Sequence, residues 1–156
     1  MDDVAFLHWA IDLAAQSRAR GDHPFGALLV DPDGEVVVTA HNTVETDRDP
    51  TGHAETNLVR AAAKRWDPQT RATLTLYTST EPCAMCAGAI YWAGIPTVVF
   101  ALSEDDLRAM TGHDQKNPAM SLPCREVFAR GGHPTTVRGP FDILAAHEVH
   151  AGFWQP

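Results

Sequence analysis

Two short segments carry side chains whose types and spacing could support chemistry. The first is His53-Ala54-Glu55, and the second is the segment 82–86, which reads Pro-Cys-Ala-Met-Cys. Each lies at the start of an alanine-rich run, so each is predicted to open a helix. Two cysteines three positions apart in a first turn share one face of the helix, where the helix dipole favours thiolates. The cysteine pair therefore indicates either a metal site or a redox dithiol.

Together, His53, Cys83 and Cys86 offer one nitrogen and two sulfur ligands, a set that suits tetrahedral zinc. On its own, His-Ala-Glu also arises by chance at helix starts, and nothing else in the chain resembles a thioredoxin. A structural zinc would need a fourth protein ligand, and none lies at motif spacing. Three protein ligands leave one position for water, as in catalytic zinc sites. Zinc lowers the pKa of such a water toward about 7, and Glu55 is then placed to carry protons.

The elements that must position these residues alternate between helices and strands. A turn over Asp31-Pro32-Asp33-Gly34 joins the first two strands into a hairpin, because Pro and Gly supply the backbone angles of a turn. This order predicts a three-layer α/β/α sandwich with a mixed five-stranded sheet. The predicted helices cover 3–19, 53–66, 83–93, 105–110 and 141–151, the strands cover 25–30, 35–40, 74–78, 97–102 and 135–138, and polar loops cover 42–52 and 111–124.

Length and composition restrict the class of protein. The 156 residues fit one domain, 1–156, and the balance of 20 acidic against 12 basic residues gives a net charge of −8. Nucleic-acid binders normally carry a basic face, so this charge counts against such a partner. No apolar run is long enough to span a membrane, and the acidic start does not resemble a signal peptide. With three cysteines, the chain is predicted to be cytoplasmic.

The combined pattern H-x-E followed by P-C-x-x-C resembles the signature of zinc deaminases of the cytidine deaminase-like superfamily. His53 and Cys83 lie 30 positions apart, and both motifs open a helix. The runs 49–55 and 80–93 are most similar to bacterial guanine deaminases. The resemblance covers residues 3 to about 103 and is loose from 104 onward, where these enzymes normally determine their substrate.

The resemblance implies hydrolytic deamination of a free nucleobase with release of ammonia. The substrate would be guanine or a related amino-purine, amino-pyrimidine or amino-triazine. Zn²⁺ would be held by His53, Cys83 and Cys86, and Glu55 would move protons from water to the ring nitrogen and the leaving amine. Nucleoside or cytosine deamination is the alternative. A tRNA adenosine deaminase shares the motifs but fits the acidic charge less well, and a zinc-stabilised or redox module without activity also stays open.

Further site residues follow from the same resemblance. Asp114 would be a second catalytic carboxylate that relays protons and contacts the amine, although an aspartate after Gly112-His113 could equally form a turn. Cys124 and His113 have no assigned role. The substrate-binding residues would be Phe25, Asn42, the Ala54 backbone, Trp92 and Trp154.

Several of these residues also have simpler interpretations. Phe25 and Trp154 could be plain core, Asn42 could shape its loop, and Trp92 could belong to a subunit contact. The segment 104–156 would form a substrate-determining lid and C-terminal segment, with 111–124 and 152–156 as mobile covers. Tail 152–156 lacks the terminal tyrosine that such tails often carry. The apolar run Ile90-Tyr91-Trp92 predicts a homodimer, in which the partners could exchange these tails.

Overall fold

A five-stranded mixed sheet forms the centre of the molecule in the computed structural model, which describes residues 2–155. Its strand order is β2-β1-β3-β4-β5. Strand β1 pairs antiparallel with both β2 and β3, whereas β3, β4 and β5 run parallel. This confirms the predicted mixed sheet. The strands are β1 Gly26–Val30, β2 Val36–His41, β3 Thr75–Thr80, β4 Thr97–Leu102 and β5 Thr136–Arg138.

Helices cover both faces of the sheet and complete the predicted three layers. Neighbouring strand residues such as Leu28 and Leu29 point to opposite faces, and each contributes to a different buried cluster. Helices α3, α5 and α7 pack on one face, and α1, α6 and α8 pack on the other. The helices are α1 Asp3–Ala19, α2 Val44–Asp47, α3 Ala54–Arg65, α4 Pro68–Arg71, α5 Ala84–Ala93, α6 Glu104–Thr111, α7 Cys124–Ala129 and α8 Leu144–Glu148.

The structure differs from the expected elements at several places, and the short helices α4 and α7 are among the elements that were not predicted. The predicted loop 42–52 contains the one-turn helix α2, because the Asp22 carboxylate accepts hydrogen bonds from the backbone N–H groups of Glu45 and Thr46. The last helix is shorter than the predicted 141–151. The Phe141 N–H donates to the Ala101 carbonyl, which keeps the chain beside β4 until the helix begins at Leu144.

The starts of α3 and α5 are the features of the fold that position the candidate site. His53 is the N-cap of α3 and Cys83 is the N-cap of α5, both with extended backbone angles. Helix α5 ends at Gly94, whose positive φ of 75° favours glycine. Within residues 2–155, no helix combines the length and the apolar character that crossing a membrane requires.

Candidate active site

The two helix starts bring the predicted metal ligands together. The His53 Nδ1 atom lies 3.5 Å from the Cys83 Sγ atom and 3.5 Å from the Cys86 Sγ atom. All three ligand atoms lie within 4.8 Å of one another. Cys86 is buried, and its sulfur lies 3.2 Å from the Thr56 hydroxyl. One imidazole nitrogen and two sulfurs at this spacing fit a zinc ion that keeps one position for a non-protein ligand.

The surroundings of Cys83 favour its thiolate. A hydrogen bond with Cys86, followed by one with His53, lowers the pKa of Cys83 to about 4 against the opposing effect of burial. The same hydrogen bond and burial raise the pKa of Cys86 above its ordinary value. One sulfur of the pair therefore carries negative charge at neutral pH, and thiolate is the form that binds metal.

Glu55 lies in the first turn of α3 and is 6% exposed. Burial, reinforced by the Cys83 thiolate, raises the pKa of Glu55 to about 8. A carboxyl group that can gain or lose a proton near neutral pH is suited to general acid–base work. Its position beside the three ligand atoms, but outside their group, agrees with a proton carrier.

A cavity of about 490 Å³ opens onto these groups. Residues from the hairpin, the starts of α3 and α5, the start of α6 and the loop 112–123 surround it. The predicted site residues Phe25, Asn42, His53, Glu55 and Cys83 all line its wall. The remaining lining residues are His23, Val44, Glu45, Pro50, Glu81, Ala84, Met85, Glu104, Leu107, Gln115, Lys116, Asn117, Pro118 and Met120.

Asn42 presents a hydrogen-bond donor to this cavity. Its Oδ1 atom accepts from the Val44 N–H at 2.9 Å and from the His23 N–H at 3.4 Å. These bonds fix the amide so that the Nδ2 group has no acceptor among residues 2–155. Asn42 both shapes the loop, as one interpretation held, and leaves a donor for a ligand.

The side chains of Ala54 and Trp92 do not line the cavity of their own chain. The Ala54 side chain is buried in the core cluster beneath α3, because the first turn of α3 packs against the sheet. The expected contact through the Ala54 backbone, which lies between the lining residues His53 and Glu55, stays a prediction. Trp92 is 83% exposed. It lies nine residues beyond Cys83 along α5, about 13 Å along the helix axis. Of the two interpretations of Trp92, a subunit contact is compatible with this position, and a contact with substrate in the same chain is not.

Trp154 is buried in this structure rather than exposed on a tail that covers the cavity. It is 7% exposed, and its Nε1–H donates to the Nδ1 atom of His150 at 3.0 Å. Its ring packs behind Phe25, with 6.1 Å between the ring centroids. Trp154 therefore supports the cavity wall from behind instead of lining the cavity, because an apolar surface was available to bury it.

Asp114 also lies off the cavity wall. One carboxylate oxygen accepts from the Lys116 N–H at 2.9 Å, and the other accepts from the Gln155 N–H at 2.7 Å. These two bonds lower the pKa of Asp114. Asp114 thus joins the loop 112–123 to the C-terminal tail of its own chain, and the turn interpretation describes its contacts better than the amine contact does.

Two functional candidates escaped the sequence analysis. Glu81 connects separate segments, since its two oxygens accept from the N–H groups of Glu104 at 3.1 Å and of Cys124 at 2.9 Å. Glu104 lines the cavity, and burial followed by the charges of Cys83 and Glu81 raises its pKa to about 7. The acidic run 104–106 after Ser103 is typical of any helix start, so its pattern did not distinguish Glu104.

Comparison with known proteins agrees with this geometry. Residues 1–102 match the cytidine and deoxycytidylate deaminase zinc-binding region. A probable cytosine deaminase from Schizosaccharomyces pombe is 42% identical over 155 residues, which cover 97% of this chain and 92% of that protein. Guanine deaminase from Bacillus subtilis is 42% identical over 115 residues, 73% of this chain and 72% of that protein.

A solved structure of guanine deaminase from Nitrosomonas europaea superimposes with a TM-score of 0.74 and 26% identity, covering 94% of this chain and 81% of that chain. The family match spans both motifs, and the Nitrosomonas europaea enzyme shares the fold that positions them. The chain therefore belongs to the zinc-binding cytidine and deoxycytidylate deaminase family and is a nucleobase-type deaminase, a zinc-dependent hydrolase of C–N bonds.

Proposed function

We propose that the substrate is a free nucleobase rather than a nucleotide or a nucleic acid. The charge of the cavity wall carries this proposal, and the cavity volume of about 490 Å³ has room for a base. Among residues 2–155, the cavity wall contains one lysine, Lys116, and four glutamates: Glu45, Glu55, Glu81 and Glu104. Glu55, with a pKa of about 8, is largely protonated at neutral pH. The ionised carboxylates of the wall repel phosphate, so a nucleotide would meet like charge where a neutral base would not. The net charge of −8 extends the same repulsion to tRNA.

The residues divide the work of hydrolysis among them. His53, Cys83 and Cys86 would hold zinc, which when bound supplies a water of lowered pKa. Glu55 takes a proton from the attacking water and passes protons to the ring nitrogen and the amine, so that a C–O bond replaces the C–N bond and ammonia leaves. Asn42 donates its Nδ2–H to an acceptor on the base, and the Phe25 ring packs on the base. Lys116 and Met120, from the loop 112–123, help to exclude water.

Guanine and cytosine are the two leading substrates. The motif runs 49–55 and 80–93 favour guanine. A specific observation favours cytosine: the match to the probable cytosine deaminase spans 155 residues and so includes the C-terminal segment. Part of that segment, 115–118, lines the cavity. The related amino-purines, amino-pyrimidines and amino-triazines form the rest of the candidate class.

An ammonia-release assay over matched compounds tests the proposal. The zinc-loaded protein is given cytosine, cytidine and CMP, then guanine, guanosine and GMP, and finally tRNA as a separate arm. We expect one free base to give the highest kcat/KM, its nucleoside less, and its nucleotide the least. A nucleotide or tRNA that reacts faster than every base would overturn the proposal.

We also propose that the chain forms a homodimer through the exposed face of α5. The Trp92 side chain is 83% exposed, and such an aromatic group is typical of a subunit contact. Light scattering of the wild type at micromolar concentration should give twice the chain mass. Trp92→Ser should shift the mass toward one chain, with Trp9→Ser, an exposed tryptophan on α1, as the control. A wild-type monomer would contradict the dimer.

A cytoplasmic location is the remaining part of the proposal. Cys83, Cys86 and Cys124 are all free thiols, and metal-binding thiolates must stay reduced. When the source cells are fractionated and each fraction is probed with an antibody, the protein should be found in the soluble cytoplasmic fraction.

A further inference from the structure

The four carboxylates of the cavity wall differ in whether the protein itself satisfies them. Both oxygens of Glu81 accept backbone N–H groups. Glu45 is half-exposed and lies 3.3 Å from the Nε2 atom of His23. Glu55 lies beside the metal-ligand group and serves as the proton carrier. These three carboxylates therefore have assigned partners or roles, and Glu104 does not.

The backbone of Glu104 is fixed at the wall of the cavity. It is the first residue of α6, and its N–H donates to the Glu81 carboxylate at 3.1 Å. Ser103 caps the same helix by accepting the Asp106 N–H at 3.1 Å. Glu81 also accepts the Cys124 N–H at the start of α7. The backbone of Glu104 is therefore linked through Glu81 to the start of a second helix.

The Glu104 carboxylate faces the cavity without a donor. It makes no hydrogen bond or ion pair within residues 2–155. The cation nearest along the helix, Arg108, pairs with Asp105 instead. When a flat base displaces water from the cavity, a carboxylate without a donor becomes costly. A base that supplies an N–H group to the carboxylate removes this cost and favours the ionised form of Glu104.

We infer that Glu104 is a specificity-determining residue that accepts a hydrogen bond from a ring N–H of the free base. This inference rests on the proposed function. Free nucleobases carry ring N–H groups, and attachment of a sugar or a methyl group removes one of them. Asp114, the second carboxylate expected from the resemblance, is unsuited to this role because both of its oxygens already accept backbone N–H groups. Selection of free bases over nucleosides is thus assigned to Glu104.

The contact between Glu104 and the ring N–H is tested by combining a substitution in the protein with methylation of the substrate. The best base is compared with derivatives methylated at each ring nitrogen in turn, using wild-type protein and Glu104→Ala. At one nitrogen, methylation should lower wild-type kcat/KM by about 10-fold to 100-fold, the cost of losing a charged hydrogen bond. In Glu104→Ala, which also makes room for the methyl group, the same change should cost less than about 3-fold.

Two further variants control for charge and folding. Asp105→Ala removes the same charge from the neighbouring, exposed position and should keep the wild-type methylation penalty. Glu104→Gln keeps the shape and a carbonyl acceptor, so it should retain part of the penalty. Zinc content and melting temperature of each variant show that the comparison is made between folded, metal-loaded proteins.

The outcomes separate this inference from the proposed function. An equal methylation penalty in wild type and Glu104→Ala at every ring nitrogen overturns the role of Glu104 and leaves the function standing. If no base releases ammonia, the proposed function fails. Calorimetric binding of each base and its methyl derivatives to the same proteins then decides whether Glu104 contacts the ring N–H, and a wild type that binds no base overturns this inference too.

Discussion

The starts of α3 and α5 and the segment beyond residue 103 contribute to one cavity in different ways. The helix starts place His53, Cys83 and Cys86 by local backbone geometry on elements packed against the central sheet. The later segment forms its part of the wall with a loop, and Asp114 and Glu81 hold that wall through hydrogen bonds to distant N–H groups.

This difference separates the residues that carry out the reaction from the residues that select the substrate. A metal group requires a few side chains at fixed spacing, which a helix start provides within one turn. A wall for a base requires surfaces from several distant segments, and loops can vary there without disturbing the ligands. Changes at the helix starts should therefore affect every substrate, and changes in the later segment should affect the choice among substrates.

The largest effect is expected from loss of a metal ligand. Cys83→Ala should lose its bound zinc and all measurable turnover, because two ligands hold the ion poorly and metal binding is linked to folding. Its melting temperature should fall as well. Metal analysis and thermal melting check both results. Cys124→Ala, which removes a buried thiol outside the ligand group, is the matched control and should keep its zinc. Full zinc in Cys83→Ala would refute the ligand assignment.

The next effect concerns Glu55. Glu55→Gln keeps the shape of the side chain but cannot exchange a proton, so turnover should fall by about 10²–10⁴-fold. Zinc content should stay at the wild-type level, because Glu55 lies outside the ligand group. Glu126→Gln, at an exposed position of α7, controls for charge. Near-normal ammonia release by Glu55→Gln would place the proton carrier elsewhere.

A smaller effect on rate is expected from the C-terminal tail. Trp154→Ala should lower the free energy of unfolding by about 3 kcal/mol, since it removes a buried aromatic ring. It should also change kcat/KM by about tenfold, in a substrate-dependent manner, because the ring supports Phe25. Denaturant unfolding and ammonia release check these expectations. If stability were unchanged, Trp154 would be a mobile cover after all.

The smallest effect is a pH dependence of stability from His150. Burial lowers the pKa of this histidine to about 4. Its neutral Nδ1 atom accepts from Trp154, and its Nε2 atom has no partner within residues 2–155. Because the unfolded chain takes up a proton near pH 6.5 and the folded chain does not, the titration of His150 has no effect on stability well above pH 6.5 and lowers stability as the pH decreases from 6.5 toward 4.

Between pH 7 and pH 5 this loss amounts to about 2 kcal/mol. Denaturant unfolding at both pH values should show it in the wild type and a smaller loss in His150→Phe, which stays neutral. Equal losses in the two proteins would mean that His150 already titrates normally in the folded state.

The sequence predicted the sheet, its layers and the metal group because these depend on local patterns. Alternating apolar runs identify strands, and two short motifs at helix starts bring His53 to Cys83 and Cys86. Trp154 and Asp114 were placed less well, because their partners, His150 and Gln155, are found through tertiary packing. Glu104 could not be predicted for a similar reason. The acidic run 104–106 is ordinary for a helix start, and only the tertiary structure places Glu104 on the cavity wall.

The ratio of kcat/KM for two bases, measured in the wild type, Glu55→Gln and Trp154→Ala, tests the separation of chemistry from selection most directly. Ammonia release is normalised to zinc content in each protein. Glu55→Gln should slow both bases by the same factor and keep the wild-type ratio, whereas Trp154→Ala should change the ratio. A ratio that shifts in Glu55→Gln and stays constant in Trp154→Ala would contradict the account.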